Sequence, residues 1–147
     1  RRETRGERRW TRAQLPATVD IGEDGLVVIE LEPGVTDAPP TDEGDILFIN
    51  YECWRTDGFK FDSTLERGLA LRTVYPPRVI GGFRHGLEPM VEGMRRKLII
   101  PPELGYGDAA VQGIPPGSTL VFHIHILKIE QSPAMPMEDR VKRLDRP

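Results

Sequence analysis

The chain has a single cysteine, Cys53, among its 147 residues. One thiol cannot close an internal disulfide, so the fold is expected to rest on packing alone. No segment approaches the roughly 20 consecutive apolar residues that a membrane-spanning helix needs, and no signal-peptide apolar region opens the chain. The chain is therefore expected to be soluble. The first residue is not Met, which leans toward a mature chain in an organelle lumen or a periplasm after removal of a targeting segment; the compartment otherwise stays open. Histidine is scarce, with three in all, and aromatic residues make up only 7%. Glycine and proline, by contrast, number 15 and 14, which favours turns and short strands over long helices.

Charge is unevenly spread. Residues 1–12 hold six arginines and two glutamates, a net of +4, while residues 13–130 carry 10 basic and 18 acidic groups, a net of −8. An acidic body argues against nucleic-acid binding by that body. The length suits one domain with tails: a basic extended arm over 1–24, a folded domain over 25–130, and a tail over 131–147.

Alternation places the strands. "GLVVIELEPG" (25–34) reads as a strand ended by Pro-Gly. "DILFINYECW" (45–54) alternates with Leu47, Ile49, Tyr51 and Cys53 on one side. Asp57-Gly58 marks a turn, and 69–75 suits another strand. Phe83, Leu87 and Met90 share a helical face, with Pro89 and Gly93 limiting that helix to about two turns. Residues 94–101 read as a strand with Leu98 and Ile100 inward. In "STLVFHIHILKIE" (118–130), Leu120, Phe122, Ile124 and Ile126 face one way, and the alternation slips at Leu127, the mark of a bulge. Five or six strands and one short helix predict an α+β antiparallel sheet with a helix on one face.

Several chemistries can be weighed on these elements. "VIGGFRHGLEPM" (79–90) resembles a phosphate-cradling turn, but the glycines at 81, 82 and 86 lack dinucleotide-loop spacing and the helix is too short. His123 and His125 share a strand face and could chelate a metal; with no third ligand nearby, a solvated sheet face is the better reading. Cys53 has no neighbouring histidine, and no serine lies in a nucleophile-elbow context. Tyr51, Phe61, Phe83, Tyr106 and Phe122 come from five elements, and by pattern alone they read as core.

The neighbourhoods of those aromatics carry a resemblance. "YECWRTDGFKFDST", "RVIGGFRHGLEPMVEGMRRKLIIPPELGYG" and "IPPGSTLVFHIHILKIE" resemble, in order, the FKBP-type peptidyl-prolyl cis-trans isomerases from about Gly25 to Glu130. The resemblance implies a half-barrel of antiparallel strands wrapped around one short helix, with a pocket between them that needs no cofactor or metal. It implies catalytic roles for Tyr51, Asp62, Phe83, Tyr106 and Phe122. Substrate contacts would come from Phe61, Val79, Ile80, Ile114 and Leu71, with Arg67 pairing with Asp62. The N–H of Ile80 and the hydroxyl of Tyr106 are the expected donors to the peptide carbonyls. Implied partners are proline-containing polypeptides and, more weakly, macrolides such as tacrolimus.

The chain also departs from the family pattern. Phe83 stands where Trp is usual, and Leu71 and Thr73 stand at wall positions that are often Phe. These changes predict a wider, less aromatic pocket and reduced activity. A rival reading keeps the fold as a binding or scaffold subunit of a larger assembly, docked through residues 1–24 and 131–147. Met137, Val141 and Leu144 would then form a short amphipathic stripe.

Overall fold

The computed structural model describes residues 18–35, 37–39 and 41–132. Seven strands form one sheet: β1 (Thr18–Ile21), β2 (Val27–Glu32), β3 (Ile46–Arg55), β4 (Lys60–Ser63), β5 (Leu71–Val74), β6 (Arg95–Ile100) and β7 (Leu120–Glu130). Two short helices, α1 (Thr64–Arg67) and α2 (Gly81–Leu87), complete the described elements with a 3₁₀ turn at Pro102–Leu104. The order is β1-β2-β6-β7-β3-β4, with β5 also on β3, and every pairing is antiparallel. Among the described residues no helix is long and apolar enough to cross a membrane.

Alternation along the two longest strands sets the core. Leu47, Ile49 and Cys53 of β3, and Leu120, Phe122, Ile124 and Ile126 of β7, are all buried on one face. Leu98 and Ile100 of β6 join them, and Phe83, Leu87, Met90 and Met94 cover this face from the other side. Phe48 pairs with Lys128 while Ile49 pairs with Ile126. Leu127 is therefore the extra residue of a bulge, where the alternation slips.

Three elements went unseen in the sequence reading. β1 pairs with β2 inside what reads as an arm; it is a four-residue edge strand whose Val19 and Ile21 stay exposed, so it leaves no burial period. β4 and α1 follow the Asp57-Gly58 turn. β4 pairs with the far part of β3 and β5 with its near part, and α1 bridges the gap between them. There the buried Thr64 hydroxyl accepts from the N–H of Tyr51 at 2.9 Å and sits 2.9 Å from Asn50 Oδ1, replacing a missing strand partner. The helix itself carries a capping pair: the Ser63 hydroxyl accepts from the N–H of Glu66, and Gly68 closes it at φ 69°.

Helix α2 ends at Leu87, ahead of Glu88-Pro89, because a residue before proline is disfavoured in helical geometry. Met90 thus lies beyond the helix whose face it was expected to share, yet it is buried. At seven residues and with no side-chain N-cap, α2 is too short to hold itself. Its glycines let it sit tightly on β6 instead. A Cβ at Gly82 would lie 2.4 Å from Ile100 Cγ2, and one at Gly86 2.6 Å from Leu98 Cδ2. Glycine within a helix costs about 1 kcal/mol relative to alanine; the close packing offsets it. The amphipathic stripe Met137–Leu144 and the arm before residue 18 lie outside the described residues. Gly82→Ala is expected to lower stability by about 1–3 kcal/mol, as overpacking does, measured by urea unfolding; a neutral or stabilising result would show that the contact relaxes freely.

Candidate active site

Between α2 and the concave face of the sheet lies a cavity of about 100 Å³. Its floor is Phe83, the third residue of α2, and its back wall is Phe122 of β7. These rings meet edge to face, 5.5 Å apart at 89°. Tyr51 of β3 approaches Phe83 at 5.9 Å and Phe122 at 6.3 Å, and Phe61 of β4 meets Phe122 at 6.2 Å and 83°. Each edge-to-face pair adds about 0.5–1.5 kcal/mol beyond its buried area and fixes ring orientation. Leu71, Val79, Ile80 and Tyr106 close the remaining sides.

A strand irregularity puts two consecutive residues into this cavity. Cys53 pairs with Asp62, but Trp54 pairs with Lys60, so Phe61 is an extra residue in β4. In a regular strand Phe61 and Asp62 would face opposite sides; the bulge lets both line the cavity. Lys60 turns away, 2.7 Å from Glu52 and 5.6 Å over the Trp54 ring.

The polar groups divide into spent and unspent. Asp62 Oδ2 accepts from the Tyr51 hydroxyl at 2.7 Å, and Oδ1 accepts from the Ser63 N–H at 2.9 Å and from Arg67. Arg67 also lies 3.4 Å from the Tyr51 hydroxyl. The Tyr51 proton is thereby committed to Asp62. Among the described residues, by contrast, neither the N–H of Ile80 nor the hydroxyl of Tyr106 donates a hydrogen bond. Ile80 caps α2 in extended geometry, and Tyr106 is 37% exposed at the mouth. Two donors thus border an apolar hole.

Ten of the eleven residues expected from sequence to act here are cavity-lining or touch one that is. Tyr51, Phe61, Asp62, Leu71, Val79, Ile80, Phe83, Tyr106 and Phe122 line it, and Arg67 pairs with Asp62. Ile114 does not line the cavity; it is buried, pinned by its pairing with Val111. Thr73 pairs with Leu47 on the adjoining strand and is likewise outside the lining. Cys53 does line it, which the sequence reading weighed only as a nucleophile. Burial, with Asp62 nearby adding to it, pushes its thiol up to about 12, so it is a neutral wall atom. His123 and His125 lie on another part of the sheet, and among the described residues no three metal-ligating side chains cluster.

A larger cavity of about 610 Å³ is bordered by Gly34, Val35, Asp37, Met90, Glu92 and Ile129. Two of its carboxylates are engaged by backbone donors, Glu92 by the N–H of Ile129 and Asp45 by that of Ser132, and no ring cluster lines it. The smaller, aromatic cavity is therefore the candidate active site.

Burial raises the pKa of Tyr51 above the ordinary value of 10.0, with Arg67 opposing and Asp62 reinforcing the shift. Burial, then the nearby Cys53 and Asp62, raise Tyr106 from the same value. A raised tyrosine pKa means that the hydroxyl keeps its proton further into alkali. Tyrosine ring-carbon NMR is expected to find both residues still mostly protonated at pH 10; a midpoint below 10 for either would contradict the burial described.

Comparison with known proteins follows the same lines. A family profile described as FKBP-type peptidyl-prolyl cis-trans isomerase matches residues 38–127. The FKBP-type peptidyl-prolyl cis-trans isomerase FkpA of Escherichia coli (strain K12) is 40% identical over 115 residues, which span 78% of this chain and 42% of that protein. The FK506-binding protein of Neisseria meningitidis serogroup B is 38% identical over 107 residues, 71% of this chain and 96% of that protein. The crystal structure of FkpA from Escherichia coli superposes with a TM-score of 0.68 at 40% identity, covering 78% of this chain and 53% of that one. The chain thus spans less than half the length of FkpA. With the profile match, the shared topology and the identity all converging on the segment that builds the aromatic cavity, the chain belongs to the FKBP-type peptidyl-prolyl cis-trans isomerase family.

Proposed function

We propose that the protein accelerates cis–trans isomerisation of X-Pro bonds in polypeptides. The observation that carries this reading is the pairing of an aromatic-lined cavity of about 100 Å³ with two unspent donors at its mouth. The cavity is below the roughly 300–1,000 Å³ of sites that enclose a drug-sized ligand, and it suits a single ring such as a prolyl side chain.

The reaction breaks no covalent bond. A peptide C–N bond is partly double, and turning it crosses a barrier of about 20 kcal/mol. At the twisted geometry conjugation is lost, the nitrogen becomes pyramidal and the carbonyl less polar. A site that holds the ring between Phe83, Phe122, Phe61 and Tyr51 and excludes water from the amide favours that twisted form over the planar one. The Ile80 N–H and the Tyr106 hydroxyl then hold the flanking carbonyls, so the rotation occurs about one bond. Asp62 fixes the Tyr51 ring by accepting a hydrogen bond from its hydroxyl, and Arg67 holds Asp62 in place. The neutral Cys53 thiol takes no part beyond packing.

The substrates are proline-containing chains. Binding of macrolides such as tacrolimus is expected to be weak, because Leu71 and Phe83 offer less ring surface than the Phe and Trp expected there from the family pattern. NMR exchange spectroscopy on a peptide with one X-Pro bond tests the proposal. Wild type should accelerate exchange, Phe83→Ala should remove most of the acceleration, and Tyr106→Phe should reduce it about five- to tenfold, the worth of one hydrogen bond. Absence of acceleration by wild type across several residues before proline would overturn the reading.

A further inference from the structure

Phe59 stands just outside the prolyl cavity and has no role in the account so far. It precedes Lys60, the first residue of β4, which turns outward over Trp54. A side chain at Gly113 would begin 3.6 Å from Phe59 Cε1 and 3.9 Å from Phe61 Cβ. The Phe59 ring and the Phe61 Cβ thus both lie within van der Waals distance of the same point beside Gly113.

Phe59 is also held. The Arg55 guanidinium lies 4.4 Å from its ring centroid. Arg55 is in turn fixed by Asp57, at 3.1 and 2.6 Å, and by the carbonyl of Gly113 at 3.1 Å. The N–H of Phe59 donates to Asp57 as well, at 3.1 Å. A lone exposed apolar side chain needs no explanation. This one is clamped on one face, 49% exposed, and close to Phe61, a wall of the apolar cavity. Preorganised in this way, the ring loses little freedom when a ligand covers it. Asp57 neutralises Arg55, so the shelf offers apolar surface without net charge.

We propose that Phe59 forms a second recognition subsite, a shelf beside the prolyl cavity that takes an apolar or aromatic side chain of the substrate, with Arg55 as its positioning residue. The proposal rests on the isomerase reading and adds a sequence preference to it. The shelf lies beside the wall formed by Phe61, so the side chain it takes is a near neighbour of the proline, on one side or the other.

The test uses peptides with a central proline in an alanine host, with Phe placed two residues before or two residues after it. In wild type, one of the two Phe peptides should show kcat/KM about fivefold above the host, the scale of an aromatic pair contact. In Phe59→Ala that ratio should fall to about one, and in Phe59→Tyr it should persist, because the ring remains. Circular dichroism of each variant checks folding. A wild-type ratio near one at both positions, or a preference that survives Phe59→Ala, overturns the subsite. If wild type isomerises none of the peptides, the isomerase reading has failed; NMR titration with the same peptides still reports the subsite, through the same ratio in their dissociation constants.

Discussion

Everything at the site depends on how closely a seven-residue helix can lie against a sheet. α2 has no side-chain cap and two glycines in its interior, a poor helix by its own propensities. It persists because those glycines bring it within van der Waals contact of Leu98 and Ile100 of β6, where Leu87 and Phe83 bury fully into the sheet's concave face. That contact fixes the height of Phe83 above Phe122, and with it the depth of the cavity. It also fixes the first turn of the helix, where Ile80 presents an N–H with no intrahelical partner.

The second constraint is a polar one, set into an apolar wall. Asp62 sits at a bulge and accepts from Tyr51, from the N–H of Ser63 and from Arg67. A half-buried carboxylate with these partners holds its charge in place without reaching for a ligand. Tyr51 is thereby turned into a rigid ring that packs on both Phe83 and Phe122. The division of labour follows: polar groups that orient the walls are satisfied internally, and the donors left over, Ile80 N–H and Tyr106 hydroxyl, border the cavity.

How much of this was legible in the sequence depended on burial. Strands β3 and β7 stood out because one face of each is fully buried, so Leu47, Ile49, Ile124 and Ile126 leave a clean period of two. The slip at Leu127 was readable for the same reason. β1 was not, since Val19 and Ile21 gain almost nothing from burial. α1 was missed although Ser63 and Glu66 form a capping pair and Gly68 closes the turn; four residues leave no hydrophobic period, and the cap was the only signal. The aromatic positions and Asp62, which the motifs point to, line the cavity. Ile114 is buried outside that lining, paired with Val111, a placement its motif does not carry. Cys53 carries no sequence signal that separates a cavity wall from a core thiol, and Phe59 none that separates it from any exposed turn residue; only the folded lining and the Arg55 contact do.

The account holds that rotation is driven by an apolar, water-excluding cage and by two fixed donors, with no proton in flight. Exchange of an X-Pro peptide catalysed by the protein in light and heavy water measures this most directly. A ratio of catalysed rates close to about one is the expected result, since no bond to hydrogen is made or broken in a rotation. A ratio of roughly two or more would mean that a general acid or base acts in the transition state and would contradict the account.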